Sequence, residues 1–490
     1  MSGRLLQVQL VNHSMIAVLC EPSIRNELSE YFSFMVPGAK FMPAFKRKVW
    51  DGKIRLFNSM TCQMNAGLYA KLCKFAADRH YHIQLKPSEY GLPNETNTVD
   101  HQKLVKQLNS FKTPFEAHDY QYAAIAHAIE KKRCLLISPT GSGKSFIIYN
   151  IMRWYLEQEM DKRVLIVVPT TSLVEQMYKD FEDYGYDSTE NVHVIYSGKQ
   201  KETEKSVVVT TWQSVYKLEK EWFDQFGCIF GDECHLFKAK SLSALMNKCT
   251  EADYRFGTSG TLDGTQVNKL VLEGLFGPTK QVTFTRDLQD KKILAKLSID
   301  MILLDYPAEL KRTQSGSKYH EELDFLVGYE PRNKFIRNIA LTQTGNTLVL
   351  FQYVEKHGDM IYKMIKEKHD NCFYVYGGTD VSDREAIRGI VENSKNAIIV
   401  ASFGVFSTGI NIKNLHNIVF ASPSKSQIRV LQSIGRGLRQ ADNKQNTKLI
   451  DLADDLSWEK EKNFTLKHSA ERIKIYTKEQ FEFNIHKVEI

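Results

Sequence analysis

Ser138-Pro-Thr-Gly-Ser-Gly-Lys-Ser145 stands between an apolar run, Cys134-Leu-Leu-Ile-Ser138, and a helix-length stretch, SFIIYNIMRWYLEQ (145–158). A strand, a glycine-rich loop and a helix in that order make a phosphate cradle. In this reading the loop residues Thr140, Gly141, Ser142 and Gly143, with the helix N-terminus, turn backbone N–H groups toward the β- and γ-phosphates of ATP. Lys144 adds a point charge, and the Ser145 hydroxyl ligates Mg²⁺. The pattern departs from its strict form at the first position, where Ser138 stands in place of Gly.

Working outward, short β-branched runs alternate with helix-length segments. They are CLLIS (134–138), VLIVVP (164–169), VHVIY (192–196), VVVTT (207–211) and CIFGD (228–232). A second group follows with TLVLF (347–351), CFYVYG (372–377), AIIVASF (397–403), NIVFAS (417–422) and LIDLA (449–453). Nearly continuous apolar strands between helices predict parallel sheets buried on both faces. The two groups, split near 260–345, predict an α/β chain with two tandem parallel-sheet domains. KLSIDMILLDYP, inside the split, reads as a hairpin or an extended piece.

The first parallel-sheet run that ends in acid is CIFGD, followed by Glu233, Cys234 and His235. A strand-terminal carboxylate, Asp232, can hold Mg²⁺ through water, and its neighbour Glu233 can orient and deprotonate the water that attacks the γ-phosphate. An acidic pair at a strand end also serves as a helix N-cap signal. Its place about 90 residues after a phosphate loop favours the catalytic reading.

These residues resemble the superfamily 2 helicases over nearly all of 115–440. Asp232-Glu-Cys-His235 is similar to their DExH box, and Tyr120-Gln121 to their adenine-reading glutamine motif. Val168-Pro-Thr-Thr-Ser-Leu-Val-Glu-Gln176 and Thr210-Thr-Trp-Gln-Ser214 resemble two motifs that touch the nucleic-acid backbone, which implies DNA contacts at Thr170, Thr171, Thr211 and Gln213. Thr258-Ser-Gly-Thr261 resembles the motif that couples the ATP site to the nucleic-acid track. Phe403-Gly-Val-Phe-Ser-Thr-Gly-Ile-Asn411 and Gln432-Ser-Ile-Gly-Arg-Gly-Leu-Arg439 resemble the two motifs of the second domain. They imply a DNA contact at Ser402, an ATP contact at Gly409, and catalytic roles for Gln432, Arg436 and Arg439 beside Lys144, Asp232, Glu233 and His235. Arginines in another domain from the phosphate loop make hydrolysis depend on domain closure, which is how a motor converts turnover into steps. His118 stands where an arginine is common before the glutamine motif.

More narrowly, the chain resembles the UvsW-type recombination and repair helicases of tailed phages. Trp50-Asp-Gly-Lys-Ile-Arg-Leu56, "WQSV" (212–215), "EWFDQFG" (221–227) and "ASFGVFSTGINIKNLHNIV" (401–419) carry that resemblance, with Gly231 in place of the Asn such sequences place before the box. It implies RecA-like domains and ATP-driven remodelling of branched or forked DNA: fork regression, Holliday-junction branch migration and R-loop unwinding. It also implies phage recombination or single-strand-binding proteins as partners. An RNA helicase, the motor subunit of a nuclease or restriction complex, and a binding module with an inactive ATPase fold are the alternatives. No PD…(D/E)xK constellation appears in the N-terminal module, and the intact Lys144, Asp232, Glu233, Arg436 and Arg439 speak against the inactive fold.

The bulk numbers frame this reading. The 490 residues are 42% hydrophobic and 25% charged, as in an ordinary globular protein. Eight cysteines show no CxxC spacing and read as thiols of a reducing compartment. No signal-peptide core and no apolar run of about 18 residues is present, which predicts a cytoplasmic protein without membrane contact, in the host bacterial cytoplasm if phage-encoded. Net charge is +7, and residues 1–110 carry six of those charges, with 14 Lys/Arg against 8 Asp/Glu. The expected organisation is a basic, α/β DNA-binding module (1–100), an ATP-binding RecA-like domain (101–285), a second RecA-like domain (286–455) and a helical tail (456–490).

The strongest basic stretch is KRKVWDGKIRLF, 46–57, with five cations in twelve residues. Asp51-Gly52 between alternating runs predicts a two-residue hairpin. Closing it would set Lys46, Lys48, Trp50, Lys53 and Arg55 on one face, with Phe57 and with no carboxylate, as a DNA-contacting surface. Lysines guarding a solvated sheet edge would look the same.

Overall fold

The computed structural model describes residues 4–36, 38–158, 161–237, 239–260, 266–408, 412, 414–422, 434–435, 446–459 and 461–490. Residues Met1–Ser138 and Gly143–Val282 form one compact unit, and Pro139–Ser142 with Thr283–Ile490 form another.

The first unit begins with a five-stranded mixed sheet made from β1 (Leu5–Asn12), β2 (Met15–Leu19), β5 (Phe57–Asn58), β6 (Gln63–Asn65) and β7 (His82–Lys86) in the order β5-β6-β2-β1-β7. β1 and β2 bury alternate residues, so this sheet has one packed face. Leu6, Val8, Ile16 and Val18 pack there with Leu28, Leu72 and Phe75 of the helices Pro22–Tyr31 and Tyr69–Asp78. A separate two-stranded ladder joins β3 (Ser33–Met35) to β4 (Lys53–Arg55).

That ladder overturns the expected hairpin. β4 pairs with β3, Ser33 opposite Arg55 and Met35 opposite Lys53, rather than with residues 46–50. Pro43, free of an N–H to lose, opens a short helix over Pro43–Lys46, and Lys48 follows in the left-handed region at φ 58°. Gly52, at φ +80°, is wedged against Met35 and Phe45, where a Cβ would come within 2.6 Å and 2.9 Å. Asp51 accepts from Lys53 N–H at 3.1 Å, a local Asx turn that settles the Asp-Gly pair without a hairpin.

The rest of this unit is a seven-stranded, all-parallel sheet of β8 (Arg133–Ile137), β9 (Arg163–Val168), β10 (Val192–Ile195), β11 (Val207–Thr211), β12 (Phe226–Gly231), β13 (Tyr254–Ser259) and β14 (Thr279–Gln281). Their order is β10-β11-β9-β12-β13-β8-β14. β11, β12 and β13 are buried at every residue, as nearly continuous apolar runs require. β13 escaped the sequence reading because YRFGTS is polar in letters. Its Arg255 is nevertheless buried, donating to Met246 O (2.6 Å), Cys249 O (2.7 Å), Leu275 O (3.2 Å) and Ser14 Oγ (2.9 Å). Through Ser14, in the β1–β2 turn, the N-terminal sheet is tied to the parallel sheet. Lys71 with Glu273 (3.1 Å) and Asn65 with Asn247 (2.8 Å) add to the tie.

The second unit holds another seven-stranded parallel sheet: β15 (Lys296–Asp305), β16 (Thr347–Phe351), β17 (Cys372–Val375), β18 (Ile398–Ser402), β19 (Asn417–Phe420), β20 (Asn446–Asp455) and β21 (Phe483–Glu489). The order is β17-β18-β16-β19-β20-β15-β21. KLSIDMILLDYP is therefore one long strand, paired with β20 from Lys296 to Asp305 and with β21 on its other side. The C-terminal segment has its expected helix at Phe464–Lys478 and, beyond it, the strand β21 that the sequence reading did not include. That strand is mostly exposed on its side chains, so it carries little hydrophobic signal.

Candidate active site

The phosphate-loop residues sit where β8 passes into the helix Lys144–Leu156. Gly141 (φ 85°) and Gly143 (φ 78°) adopt the left-handed backbone that glycine tolerates. A Cβ at Gly143 would lie 2.3 Å from Gln121 Nε2, so a side chain there would have to displace that amide. Gln121 is buried in the helix Asp119–Lys131, and its Oε1 accepts from His118 N–H at 2.9 Å. Tyr120 stacks on His118 with 5.5 Å between ring centres. Within the loop, Ser142 Oγ donates to Pro139 O at 2.7 Å. The glutamine pair and the phosphate loop are therefore brought together, although more than 15 residues separate them in sequence.

Two strands over, the acid box closes the site. β13 lies between β12 and β8, with Gly257 opposite Gly231 and Ser259 opposite Ile137, so the carboxyl ends of all three strands align. Asp232, next after β12, is buried and accepts from Thr258 Oγ1 at 2.5 Å. Glu233 follows in the left-handed region at φ 46°, a strained placement for a non-glycine residue. Its Oε1 is 3.2 Å from Lys144 Nζ, and its Oε2 accepts from Gly260 N–H at 3.3 Å. The His235 side chain is buried, with Nδ1 2.7 Å from Ser259 Oγ and 3.5 Å from Glu233 Oε2.

Two adjacent acids thus acquire different proton affinities. Burial, followed by the charge of Glu233, pushes Asp232 up to about 6. Burial would also raise Glu233, but Lys144, His235 and the Gly260 N–H more than offset it and hold that carboxyl below its usual range. Thr258 and Ser259, from the motif expected to couple the ATP site to the nucleic-acid track, are direct partners of the box.

Ser145 Oγ lies 2.8 Å from the Tyr184 hydroxyl. Tyr184 belongs to no motif, and nothing in its sequence surroundings marks it.

The residues expected to meet nucleic acid gather at the carboxyl ends of β9 and β11. Thr211 is opposite Val168, and Gln213 Nε2 donates to Pro169 O at 3.3 Å. Thr170 occupies the N-cap position of the helix Thr171–Asp183 without a side-chain cap bond, its Oγ1 buried with no hydrogen-bond partner among the described residues, while Thr171 and Gln213 are exposed. Ser402 ends β18 in the second unit. Gly409, Gln432, Arg436 and Arg439 lie outside the described residues.

In the basic stretch, Lys46 and Lys48 are exposed, while Lys53 and Arg55 are not free of carboxylates as expected. Lys53 pairs with Glu30, and Arg55 pairs with Asp51 at 2.5 Å and Glu30 at 3.3 Å. The hydrogen bond from Arg55 draws Asp51 down to about 2. Trp50 spends its indole N–H on Lys53 O at 2.8 Å. The strand pairing of β4 with β3 is the reason, since it brings the chain after Glu30 alongside Lys53 and Arg55.

A phosphate loop, an acid box two strands away and a second parallel-sheet unit define the class of two-domain helicase motors. Three family models match: "DNA helicase UvsW, N-terminal" over residues 6–86, "Type III restriction enzyme, res subunit" over 114–264, and "Helicase conserved C-terminal domain" over 331–441. The ATP-dependent DNA helicase uvsW of Enterobacteria phage T4 is 36% identical over 498 residues, covering 98% of this chain and 98% of that protein. The chain belongs to the UvsW family of ATP-dependent DNA helicases. The crystal structure of T4 UvsW agrees over 99% of both chains, with 34% identity and a TM-score of 0.53. The fold alone is shared with the DNA-bound Type ISP restriction-modification enzyme LlaBIII, at 17% identity and a TM-score of 0.57, over 77% of this chain and 32% of that one.

Proposed function

We propose that this chain is an ATP-driven motor that remodels branched DNA, by fork regression, Holliday-junction branch migration and R-loop unwinding. The observation that carries the reading is the convergence of Lys144, Asp232 and Glu233 in the same compact unit as the basic N-terminal sheet. ATP turnover and the DNA-holding surface then share one frame.

The chain's own groups divide the work. Lys144, now balanced by Glu233, is set to exchange that partner for phosphate oxygens, while Gly141, Gly143 and the helix N-terminus present N–H groups to them. Tyr120 and Gln121 face the adenine. Ser145 and Asp232 offer a hydroxyl and a carboxylate, hard oxygen donors of the kind Mg²⁺ takes. Mg²⁺ held there supplies charge neutralisation on the transferring phosphoryl group. Glu233, kept ionised, accepts the proton of the attacking water, and His235 with Ser259 fixes its carboxylate. The roles of Gly409, Gln432, Arg436 and Arg439 rest on their motifs, as do the DNA contacts of Thr170, Thr171, Thr211, Gln213 and Ser402.

Among the described residues no helix is long and apolar enough to cross a membrane. The setting that fits a phage-type helicase is the host bacterial cytoplasm, with recombination or single-strand-binding proteins of the phage as partners.

The test is branch migration of a synthetic four-way DNA junction with and without ATP. ATP-dependent conversion to two duplexes is expected. ATPase stimulation by structured RNA exceeding that by the junction would overturn the reading in favour of an RNA helicase.

A further inference from the structure

We infer that Tyr184 is a positioning residue for Ser145, and that it ties the metal seat to the helix whose other end carries the nucleic-acid contacts. This rests on the reading of Ser145 as a metal ligand and goes beyond it.

The geometry has three parts. First, the Ser145 and Tyr184 hydroxyls are 2.8 Å apart, a short hydrogen bond. The contact fixes the Ser145 rotamer, and a cation on the serine oxygen would make Ser145 the donor and the tyrosine oxygen the acceptor. Second, Tyr184 is held in place by rings rather than by a loop. It stands edge-on to Phe146 at 5.1 Å and to Phe115 at 6.1 Å, and lies 5.2 Å from Tyr149. Third, Tyr184 immediately follows the helix Thr171–Asp183, and its N–H still bonds Asp180 O at 3.0 Å. Thirteen residues make a rod about 20 Å long. Val174, Met177 and Phe181 bury one face of it in the core, so it moves as a piece or not at all.

The rod begins at Thr170 and Thr171, on the edge shared with Thr211 and Gln213. A nucleic-acid backbone engaging that edge pushes or rotates the helix, and Tyr184 delivers the displacement to Ser145. Contact with DNA then changes metal affinity through one hydrogen bond, a physically contiguous route for DNA-stimulated hydrolysis.

The experiment is Mn²⁺ binding followed by electron paramagnetic resonance, on the full chain with saturating ADP, with and without a four-way DNA junction. Tyr184→Phe keeps the ring and removes the hydroxyl. It is expected to weaken Mn²⁺ binding about three- to tenfold, as loss of one neutral hydrogen bond predicts, and to reduce the junction's effect on that affinity. Tyr149→Phe, in the same aromatic cluster, should leave Mn²⁺ affinity unchanged, which separates positioning from general loosening. Tyr184→Phe within twofold of wild type, where Ser145→Ala is weakened, overturns the inference alone. Unchanged Mn²⁺ affinity in Ser145→Ala overturns the metal-ligand reading, and the inference with it.

Discussion

Lys144 Nζ lies 3.2 Å from Glu233 Oε1, an ion pair that joins the phosphate loop to the acid box across two strands of one sheet. The pair helps hold the Glu233 carboxyl below its usual range, so this carboxylate is ionised and fixed in place at neutral pH. Glu233→Gln keeps the shape and removes the base. ATP hydrolysis should fall by about 100-fold or more while nucleotide affinity stays within a few-fold. Steady-state ATPase rates beside fluorescent-nucleotide titrations check this, and unchanged turnover would remove Glu233 from the catalytic role.

Asp232 makes the opposite prediction about pH. Its folded-state value of about 6 lies above the ordinary 3.8. Proton binding by the folded chain therefore contributes stability that is full below about 3.8 and is lost as pH rises through about 6. Asp232→Asn lacks that loss. Without nucleotide it should be more stable than wild type by about 1–3 kcal/mol at pH 7.5, with the gain shrinking toward pH 4. Thermal melts at pH 4.5, 6 and 7.5 give the comparison, and a pH-independent difference would contradict the buried-acid account.

Gly143 is favoured by its φ of 78°, and a Cβ built there would meet Gln121 Nε2 at 2.3 Å. Gly143→Ala should cost about 1–2 kcal/mol in left-handed strain and displace Gln121. Nucleotide affinity should drop roughly tenfold or more, because loop and adenine-facing pair are disturbed together. Calorimetric nucleotide titration beside a thermal melt distinguishes this from simple unfolding.

The basic stretch divides into paired and unpaired cations. Lys53 and Arg55 are held by Glu30 and Asp51, whereas Lys46 and Lys48 are exposed, with no ion pair among the described residues. The double change Lys46→Glu with Lys48→Glu should weaken junction binding and lower the salt slope by about 2. The same reversal at Lys53 and Arg55 should act less, since those charges are already partly neutralised. Equal effects from the two doubles would show that the DNA displaces the carboxylates.

Arg255 is buried with no carboxylate partner among the described residues, its charge spread over three carbonyls and Ser14 Oγ. Burial lowers it to about 10, still protonated at neutral pH. Arg255→Met strands those acceptors and cuts the tie to the N-terminal sheet, at a cost of roughly 3 kcal/mol or more. Ser14→Ala should cost about 1 kcal/mol. Urea unfolding midpoints measure both, and a methionine variant within 1 kcal/mol of wild type would make the tie dispensable.

Much of this protein was written locally. Ser138–Ser145 and Asp232–His235 were legible because their chemistry needs fixed residue types at fixed spacing beside a strand, and backbone geometry follows from the glycines. The apolar runs of β9, β11 and β16 were legible because a strand buried on both faces has little choice of composition. What depended on pairing between distant segments was not legible. Asp51-Gly52 has the letters of a hairpin, yet whether it closes one depends on what else competes for Lys53–Arg55, and β3 wins. β13 hides behind an arginine whose partners are three carbonyls and a turn nearly 250 residues upstream. β21 lacks an apolar signal because its ladder with β15 supplies the pairing that its side chains do not announce. Sequence determined which residues could carry out the chemistry. Tertiary structure decided which of them are neutralised, which are aimed, and that Tyr184 meets Ser145, because charge pairing and hydrogen bonding act through space while a motif acts only along the chain.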